Sequence, residues 1–247
     1  MLSEERKKRI DELFERSYNR GVFTFTDFMS PTSLAEAVAP LKQGTYTVFG
    51  GGDYCERAMI RFGSEEQLGY CEPFPITFLK VSLRGGRFAT QITHRDVLGA
   101  TLNLGIERQK LGDIFVNEGV AYIVVHKSVA NLILLELKSI GRNSVDVEEI
   151  DALPDFLAPT LTEKRFSVSS NRADAIICKL YGLSREEGAE LFARSLVSVN
   201  GKICALPSKP LAGGQTVAVR GYGKFQFSSE DGLSKKGKPY VTVFIYD

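Results

Sequence analysis

The stretch from Asn171 to Val219 constrains the fold of this chain more than any other. Ala173, Ile176, Ile177 and Leu180 fall at i, i+3, i+4 and i+7, one apolar stripe of a helix. Asn171 is placed as its N-cap, with the helix beginning at Arg172. Arg172 and Lys179, seven apart, share a face beside that stripe. After the turn Tyr181-Gly182-Leu183, Ser184-Arg185-Glu186-Glu187 reads as a capping box that opens a second helix. That helix buries Gly188, Leu191 and Phe192 and leaves Arg185 and Arg194 outside. Val197-Ser198-Val199 is then a strand, Asn200-Gly201 a hairpin turn, and Thr216–Val219 another strand. Phe225-Gln226-Phe227 and Tyr240–Tyr246 add a final pair.

Charge singles out the same region. Residues 160–227 hold ten Lys/Arg against five Asp/Glu, residues 1–75 nine against twelve, and residues 76–150 come to +1. Such a segment is the electrostatic footprint of a polyanion partner; a solvated basic face accounts for the charge alone equally well. Two arginines at helix starts favour the partner, because helix N-termini offer N–H groups and a positive dipole end to phosphate, and arginine adds bidentate contacts.

Upstream, residues 76–150 read in the order β-α-β-β-α-β: strand Ile76–Leu83, helix Thr93–Leu104, a hairpin around Asn117-Glu118-Gly119, helix Val129–Ile140 and strand Ser144–Ile150. That is the ferredoxin-like arrangement, shared by RNA-recognition modules and by many enzymes. Its third strand, Ala121–Val125, lacks the stacking aromatics of an RNA-reading sheet. Contacts by charge and shape are therefore expected, from Arg84, Arg87, His94, Arg95, Arg108 and Lys110. Residues 1–75 read as a small α/β domain, with helices around Ile10–Ser17 and Leu34–Leu41 and a strand Thr45–Phe49. Gly50-Gly51-Gly52-Asp53 has no Lys-Ser/Thr pair after it and is not a P-loop. Asp151–Pro159, with two prolines, reads as a linker.

The C-terminal pattern resembles the S4 RNA-binding domain. The resemblance rests on Arg172-Ala173-Asp174, Ser184-Arg185, Val197-Ser198-Val199-Asn200-Gly201-Lys202, Pro207-Ser208 and Gly213–Val219, closing with Gly221–Phe225. Ala173, Gln215 and Ser195 depart from the usual Leu, Asp and Gly. It implies an RNA-binding surface of Arg172, Lys179, Ser184, Arg185, Arg194, Asn200, Lys202, Ser208, Lys209 and Lys224. The chain as a whole resembles the YlmH family of bacterial S4-domain proteins, through Gly51–Arg57 and the stretch from His94-Arg95-Asp96-Val97-Leu98-Gly99 to Gly112-Asp113 as well. Membership implies structured rRNA and tRNA and the large ribosomal subunit as partners, a part in rescue or quality control of stalled translation, and a genomic association with cell division.

The expected architecture is α+β: an α/β domain over 1–75, a ferredoxin-like βαββαβ domain over 76–150, and an S4 (αL-type) domain over 160–247 with a C-terminal β extension. No catalytic function, cofactor or metal is expected. Cys55, Cys71, Cys178 and Cys204 form no C-x-x-C, and there are two histidines. The charged N-terminus carries no apolar leader and no run spans a bilayer, so a cytoplasmic location without membrane contact is expected. Two alternatives remain. One is an RNA-modifying enzyme of the pseudouridine-synthase or methyltransferase kind, although no G-R-L-D motif or doubly wound nucleotide fold is evident. His94-Arg95-Asp96 echoes a kinase catalytic loop, but Thr101 stands where that motif needs Asn. The other is an interaction protein linked to cell division.

Overall fold

The computed structural model describes residues 2–84, 91–233 and 237–246; Arg87 lies outside them. The chain is α+β and divides into two compact units, residues 1–158 and 159–247.

In the first unit, α1 (Glu4–Arg20) starts at a Ser3 N-cap and stops at Gly21, whose φ of +60 suits glycine. It buries Ile10, Leu13 and Ser17. Then come β1 (Thr24–Phe25), α2 (Pro31–Val38), β2 (Tyr46–Phe49), β3 (Met59–Phe62) and the short α3 (Glu65–Leu68). The three strands form an antiparallel sheet ordered β1-β3-β2. The central strand β3 pairs on both sides and buries Met59, Ile60 and Phe62.

The same unit continues with β4 (Ile76–Leu83), α4 (His94–Leu102), β5 (Leu111–Asn117), β6 (Val120–His126), α5 (Lys127–Glu136), β7 (Ser139–Ile140) and β8 (Asn143–Ile150). Their sheet is antiparallel and ordered β5-β6-β4-β8-β7. A Thr93–Asp96 capping box starts α4, and Glu118 and Gly119, both at positive φ, make the two-residue turn of the β5–β6 hairpin. The helix expected to reach Ile140 ends at Glu136, because Ser139 and Ile140 pair with Ser144 and Asn143.

Alternation gives this sheet two apolar faces. Leu79, Val81, Ile123 and Val125 pack with Val97 of α4 and Ile133 of α5. Phe78, Tyr122 and Val124 face the other way and pack with Phe28, Met59 and Tyr54 from the first 75 residues, and with Leu153. Residues 153–157 are thus not a free linker. Leu153 is buried, Pro154 accepts a hydrogen bond from the Tyr54 hydroxyl (3.3 Å), and Phe156 meets Tyr122 edge-on at 5.9 Å.

The second unit contains β9 (Leu161–Ser167), α6 (Ala173–Tyr181), α7 (Arg185–Ala193), β10 (Val197–Val199), β11 (Lys202–Ile203), β12 (Thr216–Val219), β13 (Gly223–Leu233) and β14 (Pro239–Tyr246). They build an antiparallel sheet ordered β11-β10-β12-β13-β14-β9. Ala173, Ile176, Ile177 and Leu180 pack with Leu191 and Phe192 over Val197, Val217, Phe225 and Val241. The helices approach closely at Gly188, where a Cβ would collide with the Cys178 sulfur. The N-cap of α6 is Arg172 rather than Asn171, and its side chain does no capping. β9, absent from the expected elements, pairs with β14 from Ser167–Tyr240 to Leu161–Tyr246.

Candidate nucleic-acid interface

A groove of about 670 Å³ opens on the helical side of residues 159–247. Arg172, Lys179, Arg185 and Lys238 line it, with Asp174 as the one carboxylate among the described residues. Local sequence explains how the first three meet. Arg172 immediately precedes α6, Lys179 lies two turns later, and Arg185 is the first residue of α7 after the Ser184 cap. The apolar stripes of both helices enter the core, so all three cations remain exposed. Lys238, just before β14, completes the set; no motif pointed to it, since only the folded β13–β14 hairpin returns it there.

Arg172 is held rather than loose. Its Nε and Nη2 donate to Asp174 Oδ1 and Oδ2 at 3.0 and 2.6 Å, and this bidentate pair raises the pKa of Arg172. Its side chain is nevertheless 48% exposed. Among the described residues, the side chains of Lys179 and Arg185 have no hydrogen-bond or ion-pair partner.

The expectation of open helix N-terminal N–H groups at Arg172 is overturned. Lys209 and Pro207 place their carbonyls on the Ala173 and Asp174 N–H groups at 2.8 and 3.1 Å, and Asp174 Oδ1 accepts from the Ala175 N–H at 2.8 Å. Any phosphate contact at this end belongs to side chains.

The other residues expected at the interface divide by what they do. Ser184 accepts from the Glu187 N–H (3.2 Å) while Glu187 accepts from the Ser184 N–H (2.7 Å), which also holds the Glu187 carboxyl below its usual range. Asn200, at φ +48, forms the β10–β11 turn, and its Oδ1 accepts from the Thr216 N–H (2.9 Å). Arg194 pairs with Glu190 at 3.3 Å, and Lys224 lies 4.2 Å from the Tyr246 ring. Lys202 and Ser208 are exposed, Lys209 half-buried. None of these seven lines the groove.

Among the described residues of 1–158 the expected cations do not converge. Arg84 pairs with Asp146, and Arg95 and His94 are exposed at the start of α4. Lys110 pairs with Asp27 at 2.5 Å. Arg108 is structural, since Nη1 donates to the Leu111 and Gly112 carbonyls at 2.7 and 3.3 Å. Beside it Arg57 donates from Nε to Leu111 (2.9 Å) and from Nη2 to the Phe28 and Arg108 carbonyls (3.2 and 3.3 Å), while its backbone N–H reaches Asp113 at 2.8 Å. Burial and the neighbouring Arg108 bring the Arg57 pKa down to about 10, and burial raises that of Asp113. Burial, then the Asp113 charge, pushes the Cys55 thiol up to about 12.

The glycine turn belongs to the same packing. A Cβ at Gly51, where φ is +107, would sit 2.9 Å from Phe78 and 3.0 Å from Val124. The turn is therefore fitted against the five-stranded sheet. Tyr122 is buried and Phe115 meets Tyr54 at 5.5 Å, so these rings of the sheet are occupied internally.

Fold and site describe an α+β protein whose convergent cations lie in a groove of its C-terminal unit. The chain belongs to the YlmH family. A family model described as "Putative RNA-binding domain in YlmH" matches residues 71–153. "Ribosome-associated protein quality control protein P2" of Bacillus subtilis (strain 168) is 30% identical over 224 residues, spanning 88% of this chain and 85% of that protein. The solved structure of "Cell division protein ylmH from Streptococcus pneumoniae" is 24% identical, covers 61% of this chain and 93% of its own, and superposes with a TM-score of 0.46. No described helix is long and apolar enough to cross a membrane, and no group of three or more metal-ligating side chains occurs among the described residues.

Proposed function

We propose that this chain is a non-enzymatic RNA-binding protein that grips structured rRNA and tRNA on the large ribosomal subunit. Its C-terminal unit acts as an S4-type module, and its role is quality control of stalled translation in the cytoplasm. The observation that carries this reading is the groove in which Arg172, Lys179, Arg185 and Lys238 face one carboxylate. Such a surface suits a phosphate backbone, whose contacts dominate affinity for nucleic acid. The relative from Bacillus subtilis, named for ribosome-associated quality control, and the family model over 71–153 support the choice of RNA on the ribosome. Residues 1–158 add contacts through exposed charge, because Phe78 and Tyr122 of the five-stranded sheet are packed internally.

The test is the salt dependence of RNA affinity for the full chain. Each phosphate contact should add about 0.7–0.9 to the negative log–log slope. Three or four such contacts therefore give a slope of roughly −2 to −4. Affinity that stays flat between low and physiological salt would sink the reading.

A further inference from the structure

Residues 1–158 hold a cavity of about 230 Å³ that plays no part in the groove. Arg6, Arg9, Ile10 and Leu13 of α1 line one side, three and four residues apart and so on one helix face. Ile10 and Leu13 are buried and the two arginines exposed, which gives an apolar interior and a cationic rim. The segment Phe25–Met29 lines the cavity next. It is fixed there, because the Phe28 N–H donates to the Gln109 carbonyl and the Ile60 N–H to the Thr26 hydroxyl, both at 2.9 Å. Phe28 is buried, whereas Phe25 is half-buried, its ring meeting Phe74 edge-on at 5.6 Å and also lining the cavity. Lys110 and His126 also line it, with Lys110 paired to Asp27.

We propose that this cavity receives a single unpaired nucleotide, its base against Phe25 and its phosphate at Arg6, Arg9 and Lys110. The proposal rests on the RNA-binding reading and names a second point of contact for it. Three observations carry it. The volume falls below the roughly 300–1,000 Å³ of clefts that hold drug-sized ligands, so one base fits and an extended segment does not. Arg6, Arg9 and Lys110 line the cavity with Asp27, and with Glu12 paired to Arg9 at 3.4 Å the set still carries one excess positive charge, which selects an anion. The combination of an aromatic face, apolar walls and hydrogen-bonding side chains is how unstacked bases are held. The hydrogen-bonding set is mixed. Asp27 accepts, while His126 Nδ1 lies 3.1 Å from the Ser128 N–H and 2.7 Å from its hydroxyl; the tautomer in which Nδ1 accepts from both carries the neutral ring's proton on Nε2 as a donor. Burial, with Lys110 nearby, holds the His126 pKa down and favours that neutral form.

The experiment uses the full chain and a structured RNA carrying 4-thiouridine at unpaired positions, photocrosslinked and mapped by peptide mass spectrometry. A parallel arm uses free 4-thiouridine monophosphate. Crosslinks to the peptide containing Phe25 are expected, reduced about tenfold in Arg6→Ala/Arg9→Ala, the size of one lost charge-assisted contact. Both arginines are exposed, so melting should be unchanged; Arg6→Gln/Arg9→Gln provides a second variant. A crosslink confined to the RNA arm identifies an unpaired nucleotide of a polymer as the occupant. An equal crosslink in the mononucleotide arm identifies a free nucleotide. Crosslinks only within 159–247, or a signal at Phe25 that both double variants retain, overturn the pocket and leave the RNA reading standing. Absence of RNA and mononucleotide binding overturns both.

Discussion

In residues 1–158, Arg57 and Arg108 turn their guanidinium groups onto backbone carbonyls, whereas in residues 159–247 Arg172 and Arg185 keep theirs at a solvent-facing groove. The chemistry of the side chain is the same; the surroundings decide its use. A five-stranded sheet with two apolar faces needs cover on both, and the first 75 residues supply it for one. Joining them leaves loop carbonyls at Phe28, Arg108 and Leu111 that need donors, and Arg57 satisfies all three. The C-terminal unit satisfies its own helix start with the Lys209 and Pro207 carbonyls, so Arg172 and Arg185 are not drawn onto the backbone there.

The contrast is broken most directly at Arg57. Each charge-assisted hydrogen bond contributes about 1.5–3 kcal/mol, and Arg57→Ala removes three, taking this donor from the Phe28 and Arg108 carbonyls while Leu111 keeps Arg108 Nη1. Their effects overlap, so a loss of about 3 kcal/mol is expected, which lowers the melting temperature of residues 1–158 by roughly 6–12 °C. Calorimetry of the full chain checks this, and a melt within a degree or two of wild type would remove Arg57 from its structural role. Arg172→Ala and Arg185→Ala should do the reverse. Stability falls by about 0–1 kcal/mol for Arg172→Ala, which loses its surface ion pair, and moves by about 0.5 kcal/mol or less for Arg185→Ala. RNA affinity falls by roughly 1.5–3 kcal/mol, and lysine restores only part because it lacks the planar fork. Unchanged affinity in both alanine variants would mean that the groove is not the grip.

Local pattern was enough for much of this. The stripe Ala173–Leu180, the Ser184–Glu187 box and the Asn200-Gly201 turn depend on residues within one or two turns of each other, and each forms where the pattern puts it. Ser195 is informative in the same way. Its φ of +56 is the left-handed conformation that explains why glycine is usual there in the pattern it resembles. What escaped reading is non-local. β9 has no apolar alternation, with its first five residues exposed, and exists as a strand because β14 hydrogen-bonds to it from the far end of the unit. Arg108 resembles any other surface cation in sequence, and its inward turn follows from the Leu111 and Gly112 carbonyls beside it. Lys238 reaches the groove by a long hairpin, and Arg172 falls outside α6 because its backbone is extended, with ψ 143, and bridges Pro210.

The finest test of the contrast lies in the one carboxylate of the groove. Asp174 binds Arg172 through both oxygens, so phosphate must compete with it and also meet its negative charge. Asp174 has a second task, accepting the Ala175 N–H at Oδ1, and Asn can still perform it. Asp174→Asn therefore removes charge while keeping the local hydrogen bond. Loss of a surface ion pair costs about 0–1 kcal/mol of stability. A unit charge about 4 Å from a phosphate in water opposes it by about 1 kcal/mol, so RNA should bind about fivefold tighter. Because the gain is electrostatic, it should be largest at low salt and shrink as the Debye length shortens. Titrations of wild type and Asp174→Asn at two salt concentrations measure both quantities. Weaker RNA binding with unchanged melting would show that Asp174 positions Arg172 for its partner instead of competing with that partner. The Arg172 side chain in the groove would then resemble the carbonyl-held arginines of residues 1–158 in depending on a fixed internal acceptor.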